Sequence, residues 1–346
     1  MDDKVLVIKH GALGDLVQSF DALAALRFHH RASELVLMTA TEHAGLACLL
    51  PWPDRLWLDD RPSGWRPASW WAIRRRFLTE GFRIVYDLQC SRRTGRYFRL
   101  IPRARRPLWV GAASGCSHPN PDFSSGGFSN RQKMAAQLAT TGVPAPTPAD
   151  LSWFDADVRG FGLPPRFLLL IPGCSPHLPK KRWPPEHYAT LAKRSAASGV
   201  PPVLVGTAAD REAIAIILAA VPDAIDLCGR TNLAELAGVA RRAAYVVGND
   251  TGPTFLAAAV GAPTLMLMSA HTDPRVSAPS GPCARWLKCD DLTALPAEAV
   301  IAALPAYRPG MEPPHGHDDR QMERHGDQIH PPAAAVLPGE QARGKR

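Results

Sequence analysis

Twice along the chain, short apolar runs end in small-residue turns and are followed by segments with helical spacing. No other feature restricts the fold as much. In the first half, residues 4–9, 34–38, 55–58, 83–87 and 108–111 read as strands, with helices at 15–28, 42–50, 69–80 and 130–141. Prolines then gather at Pro144, Pro146, Pro148, Pro164 and Pro165, which marks a connection. A second series follows, with strands at 167–171, 203–205, 224–227, 245–247 and 264–268 and helices at 185–198, 210–220, 233–242, 254–260 and 296–304. Apolar strands alternating with helices favour an α/β fold with mostly parallel, doubly wound sheets, because the crossover helices cover both faces. The chain has 346 residues, and at roughly 150 residues per domain two domains are expected. We place them at 1–150 and 166–306, both Rossmann-like, joined by a linker at 151–165. Residues 307–346 hold too few large apolar side chains to offset chain entropy and read as a disordered tail. Its four histidines (His315, His317, His325 and His330) read as part of a solvated polar segment.

Composition narrows the classes further. Forty Lys and Arg against 32 Asp and Glu leave a net charge of +8, which suits an anionic partner. No apolar run approaches the ~18 residues of a membrane span, and the first residues lack the pattern of a secretion signal. Seven scattered cysteines without a C-x-x-C pair fit a reducing compartment. Nucleic-acid binding lacks any module signature beyond charge.

Three strings carry chemistry. The first, Lys9-His10-Gly11-Ala12-Leu13-Gly14-Asp15, ends the first strand with the spacing G-x-x-G-D. That spacing misses the dinucleotide fingerprint, and it sets Asp15 where a carboxylate either caps a helix or accepts a proton. The second runs from Ile171-Pro172-Gly173-Cys174-Ser175 to Lys180-Lys181-Arg182-Trp183, a candidate diphosphate clamp. The third, Gly248-Asn249-Asp250-Thr251-Gly252-Pro253, opens an Ala-rich helix whose N-terminal amides favour an anion. Asp155-Ala156-Asp157 spells a D-x-D metal pattern inside the linker, with no strand before it. No metal site is expected there.

In this order the three strings resemble glycosyltransferase family 9, the heptosyltransferases, over roughly residues 4 to 304. The resemblance implies a GT-B architecture, two Rossmann-like domains facing across a cleft. It implies an inverting transferase that needs neither metal nor cofactor and moves heptose from ADP-heptose to the inner core of lipopolysaccharide. By the same resemblance Asp15 is the general base and Lys181 neutralises the leaving diphosphate. Ser175, Lys181, Arg182, Asp250, Thr251, Gly252 and Pro253 hold the donor. Gly14, Arg92, Arg93 and Arg131 are assigned to an anionic, lipid-linked acceptor, partly on charge. The implied location is cytoplasmic and peripheral, at the inner face of the bacterial inner membrane. One departure stands out: the family usually carries His shortly after the D-T-G turn, where this chain has Phe255. Three alternatives remain at this point: a transferase of the same family using another sugar nucleotide, a nucleotide-dependent oxidoreductase, and a nucleotide-sugar-binding protein without turnover.

Overall fold

The strands are apolar on both faces, as buried parallel strands must be. In the computed structural model, Val5 to Ile8 are fully buried, as are Val246, Val247 and Met266 to Met268. The structure describes residues 3–61, 66–175 and 177–304. The tail assigned to 307–346, with its histidines, lies outside them.

The first sheet comprises β1 (Lys4–Ile8), β2 (Glu34–Ala40), β3 (Arg55–Asp59), β4 (Ile84–Asp87), β5 (Leu108–Gly111) and β6 (His118–Pro119). All pairings are parallel, in the order 3-2-1-4-5-6. Its helices are α1 (Leu13–Val17), α2 (Phe20–His29), α3 (Ala44–Ala47), α4 (Pro67–Glu80), α5 (Arg92–Leu100) and α6 (Asn130–Ala139). The second sheet comprises β7 (Leu168–Ile171), β8 (Pro202–Leu204), β9 (Ile225–Asp226), β10 (Tyr245–Asn249), β11 (Thr264–Met268) and β12 (Ala284–Lys288). It is parallel throughout, with the order 12-11-10-7-8-9, and so repeats the winding of the first. Its helices are α7 (Pro185–Ala197), α8 (Arg211–Ala220), α9 (Leu233–Arg242), α10 (Gly252–Ala259), α11 (Pro274–Ser277) and α12 (Ala297–Ala303).

Three differences from the sequence reading have local causes. The helix expected at 15–28 is two helices: the chain leaves helical geometry at Ser19, and the Ser19 hydroxyl turns back onto the Leu16 carbonyl at 2.7 Å. Helix α5 reads in sequence as a run of arginines, yet Thr94, Tyr97 and Phe98 form its buried stripe, with Ser91 as N-cap. Strands β6 and β12 lie at sheet edges and are half-exposed, so the buried apolar run that betrays central strands is missing.

Two apolar clusters cover the outer faces, one per sheet, and a third runs unbroken from the first sheet into the second. The connecting segment takes part in that shared core through buried Leu151, Phe154 and Val158. Arg241 donates from α9 to the carbonyl of Phe154 at 3.3 Å and also reaches the Leu151 carbonyl. The aspartates of the D-x-D string are engaged in ion pairs, Asp155 with Arg242 at 2.7 Å and Asp157 with Arg159 at 2.6 Å.

Candidate active site in the interlobe cleft

In a doubly wound sheet, the crevice for a ligand opens at the carboxyl ends of the strands where the winding changes direction. In the first sheet that point lies between β1 and β4, and in the second between β7 and β10. The three strings follow β1, β7 and β10. They therefore meet from opposite lobes around one cavity of about 780 Å³. Gly14, Asp15, Ser175, Lys181, Asp250, Thr251, Gly252 and Pro253 all line it.

Asp15 sits in the first turn of α1, half-buried, and its carboxylate accepts the Ala12 N–H at 2.9 Å. It thus reaches back as the acidic partner of a capping box does. The turn before it is clamped by side chains from two other elements. Gln89 Oε1 accepts the N–H groups of His10 (3.0 Å) and Gly11 (2.8 Å), while His43 Nε2 donates to the Gly11 carbonyl at 2.6 Å. Lys9, almost wholly buried behind the turn, has its pKa pushed down by burial, and the nearby Asp15 carboxylate opposes that shift.

Across the cleft, Lys181 Nζ donates to Asp250 Oδ2 at 2.6 Å, and the Thr272 hydroxyl donates to the same oxygen. Asp250 is 8% exposed, so the pair fixes the ammonium at the cavity wall while two of its three N–H donors stay available. Fully buried Asn249 ties this lobe's pieces together. Its Oδ1 accepts the Trp183 N–H (3.0 Å) and the Tyr188 hydroxyl (3.1 Å), and its Nδ2 donates to the Pro172 carbonyl at 2.8 Å. Helix α10 begins with Gly252 and Pro253 and has no side-chain cap. Pro253 carries no N–H, but Thr251, Gly252 and Pro253 line the cavity, so the positive end of the helix dipole borders it.

The lobes touch where these helices cross. A Cβ on Gly252 would lie 2.5 Å from the Cβ of Leu13, and one on Gly14 would lie 2.7 Å from Cδ2 of Phe255. Glycine at both positions is what allows α1 and α10 to approach so closely. Phe255 is buried, lines the cavity and lies over Gly14.

Four predicted residues do not line this cavity. Arg182 turns into its own loop and donates to the Cys174 carbonyl at 2.8 Å, which fastens the P-G-C-S turn to the lysine loop. Arg93 donates to the Tyr97 hydroxyl at 2.6 Å, and Arg131 is ion-paired with Asp21 beside a separate cavity of about 170 Å³. Arg92 is exposed at the start of α5. Conversely, Asn249 was named only as part of the third string, without a role, and Gln89, His43 and Thr272 were not singled out in the sequence. Neither was Asp210, whose carboxylate holds the N–H and hydroxyl of Thr207 at 2.9 Å each along the far wall. Only position just after a strand hints at such residues.

Two facing, parallel 3-2-1-4-5-6 sheets with their shared cleft at the carboxyl edges define a GT-B fold. The solved E. coli ADP-heptose lipopolysaccharide heptosyltransferase II has the same architecture, with a TM-score of 0.67 at 22% identity over 86% of this chain and 96% of that one. Residues 130–296 match the sequence model of glycosyltransferase family 9 (heptosyltransferase). Lipooligosaccharide heptosyltransferase 2 of Haemophilus influenzae is 36% identical over 106 residues, a stretch covering 29% of this chain and 30% of that protein. Lipopolysaccharide heptosyltransferase 1 of Pseudomonas aeruginosa is 25% identical over 318 residues, 82% of this chain and 86% of that protein. Residues 130–296 thus carry a glycosyltransferase family 9 domain.

Proposed function

We propose that the chain is an inverting, metal-independent heptosyltransferase that transfers heptose from ADP-heptose to the inner core of lipopolysaccharide at the cytoplasmic face of the inner membrane. The observation carrying this reading is that Asp15 from one lobe and the Lys181–α10 pair from the other line the same cavity. In the reaction, Asp15 takes the proton of an acceptor hydroxyl as that oxygen bonds to the anomeric carbon from the face opposite the nucleotide. The bond from that carbon to the diphosphate breaks, and its electron pair leaves on the phosphate oxygen. The ammonium of Lys181 and the positive N-terminal end of the α10 dipole offset the charge that develops there. Ser175 and the Asp250–Pro253 turn hold the sugar diphosphate, and the wall from Thr207 to Leu236 receives the nucleoside.

Phe255 replaces an imidazole with an apolar ring beside the sugar position, which makes the donor the first point to test. The protein is incubated with ADP- and UDP-sugars, each with a heptose-free core acceptor, and nucleotide release is measured. Release with ADP-heptose supports the assignment, and release with another sugar nucleotide alone reassigns the donor within the same fold. Absence of release with every donor counts against transfer.

A further inference from the structure

We propose that the outer face of α4 and α5 docks the protein on an anionic phospholipid bilayer. The lipid-linked acceptor proposed above gives this surface its purpose, but the surface is argued from its own chemistry. No Asp or Glu occurs between Asp60 and Glu80 or between Asp87 and Asp122, and residues 61–121 contain no lysine, so the cations of both helices are all arginine. Guanidinium pairs with phosphate in a two-pronged geometry that ammonium cannot match. Glu80, at the end of α4, is bound by Arg55 and Lys4.

Some of these arginines serve the fold. Arg74 donates to the Leu100 carbonyl at 3.1 Å and Arg105 to the Leu78 carbonyl at 3.2 Å, which locks the two helices side by side. Arg75, Arg96, Arg99 and Arg103 are exposed, and none has a hydrogen-bond or ion-pair partner among the described residues. Among them stands Trp71, 59% exposed, with the Arg75 guanidinium 5.6 Å from its ring centre. Its neighbour Trp70 is buried in the core, so Trp71 is not needed for packing. An exposed indole with a guanidinium over it, on a pair of helices whose cations are all arginine, matches the chemistry of the headgroup layer, where the ring sits at the acyl boundary and the cations meet phosphates. Placement agrees: α4 and α5 follow β3 and β4, so both start at the carboxyl edge of the first sheet, the edge that carries Asp15. The first turns of both helices lie at that edge, whereas Arg99 and Arg103 stand at the end of α5 and beyond it, toward the opposite edge.

The test is co-sedimentation of the full chain with phosphatidylglycerol-containing or pure phosphatidylcholine vesicles, which needs no sugar transfer and so stands apart from the fate of the enzymatic reading. Neutralising Arg75, Arg96, Arg99 and Arg103 to Gln is expected to weaken partitioning roughly fivefold per arginine, several hundredfold together. Trp71→Ser is expected to weaken it further, and added salt to weaken it in the wild type. A matched variant with Lys193, Arg194, Arg285 and Lys288 changed to Gln removes the same charge from exposed positions of the other lobe and is expected to bind within a few-fold of wild type. Circular dichroism verifies that both variants are folded. The proposal is overturned by equal losses in the two variants, by wild-type protein that ignores phosphatidylglycerol, or by duplex DNA outcompeting the vesicles.

Discussion

Asp15 is asked to do two things, and a pair of substitutions separates them. Its carboxylate accepts the Ala12 N–H, and in the proposed reaction it also accepts a proton. Asp15→Asn keeps an oxygen for the Ala12 N–H but removes the basic group. Asp15→Ala removes both. Each variant also takes a negative charge away from buried Lys9, so that cost is common and cancels in the comparison. The stability difference between the two therefore isolates the helix-end hydrogen bond, about 0.5–2 kcal/mol. Calorimetry should register it as a melting midpoint lower in the Ala variant by roughly 2–4 °C per kcal/mol. Turnover, followed by nucleotide release at saturating donor, should fall ~10²–10⁴-fold in both alike, with donor affinity little changed. An Asn variant that keeps wild-type turnover while the Ala variant loses it would refute the proton-acceptor role and leave Asp15 as a structural cap.

Lys181→Ala should weaken calorimetric binding of ADP and lower turnover by roughly 10²-fold, since it removes a donor aimed at the developing charge. Gly14→Ala puts a methyl group 2.7 Å from the Phe255 ring; we expect reduced activity that Phe255→Leu partly restores, seen in steady-state kinetics of the single and double variants. Asn249→Ala leaves the Trp183 N–H, the Tyr188 hydroxyl and the Pro172 carbonyl without their partner, which should cost about 2–4 kcal/mol in urea denaturation. Burial holds His10 and His30 near a pKa of about 4 against an ordinary 6.5. The unfolded chain therefore takes up protons below pH 6.5 that the folded one refuses, and stability on the order of 3 kcal/mol per histidine is lost between pH 6.5 and 4. Asp87 works in the opposite sense, because burial raises its pKa from 3.8 to about 6 and the penalty for its charge fades over the same range. The melting midpoint should thus drop on acidification by less than the two histidines alone would give, and His30→Gln should shrink the drop.

The alternation of apolar strand and helix, the two halves and the three polar strings were all legible in the chain, because periodicity and turn chemistry are local properties. Central strands such as β1 and β11 announce themselves by being apolar on both faces, whereas edge strands β6 and β12 do not. Helix α5 was hidden because its arginines masked the spacing of Thr94, Tyr97 and Phe98. What the chain does not display is which distant segments become neighbours. The order 3-2-1-4-5-6, used twice, brings the ends of β1, β7 and β10 to one cleft, and that pairing is settled by packing over long sequence separations. The same packing turned Arg182 and Arg131 inward onto protein partners. It also made Asn249 the tie of the second lobe and set Phe255 on Gly14 across the lobes. A side chain's type sets what it can bond to. Its role here depended on which neighbours the two sheets brought within reach.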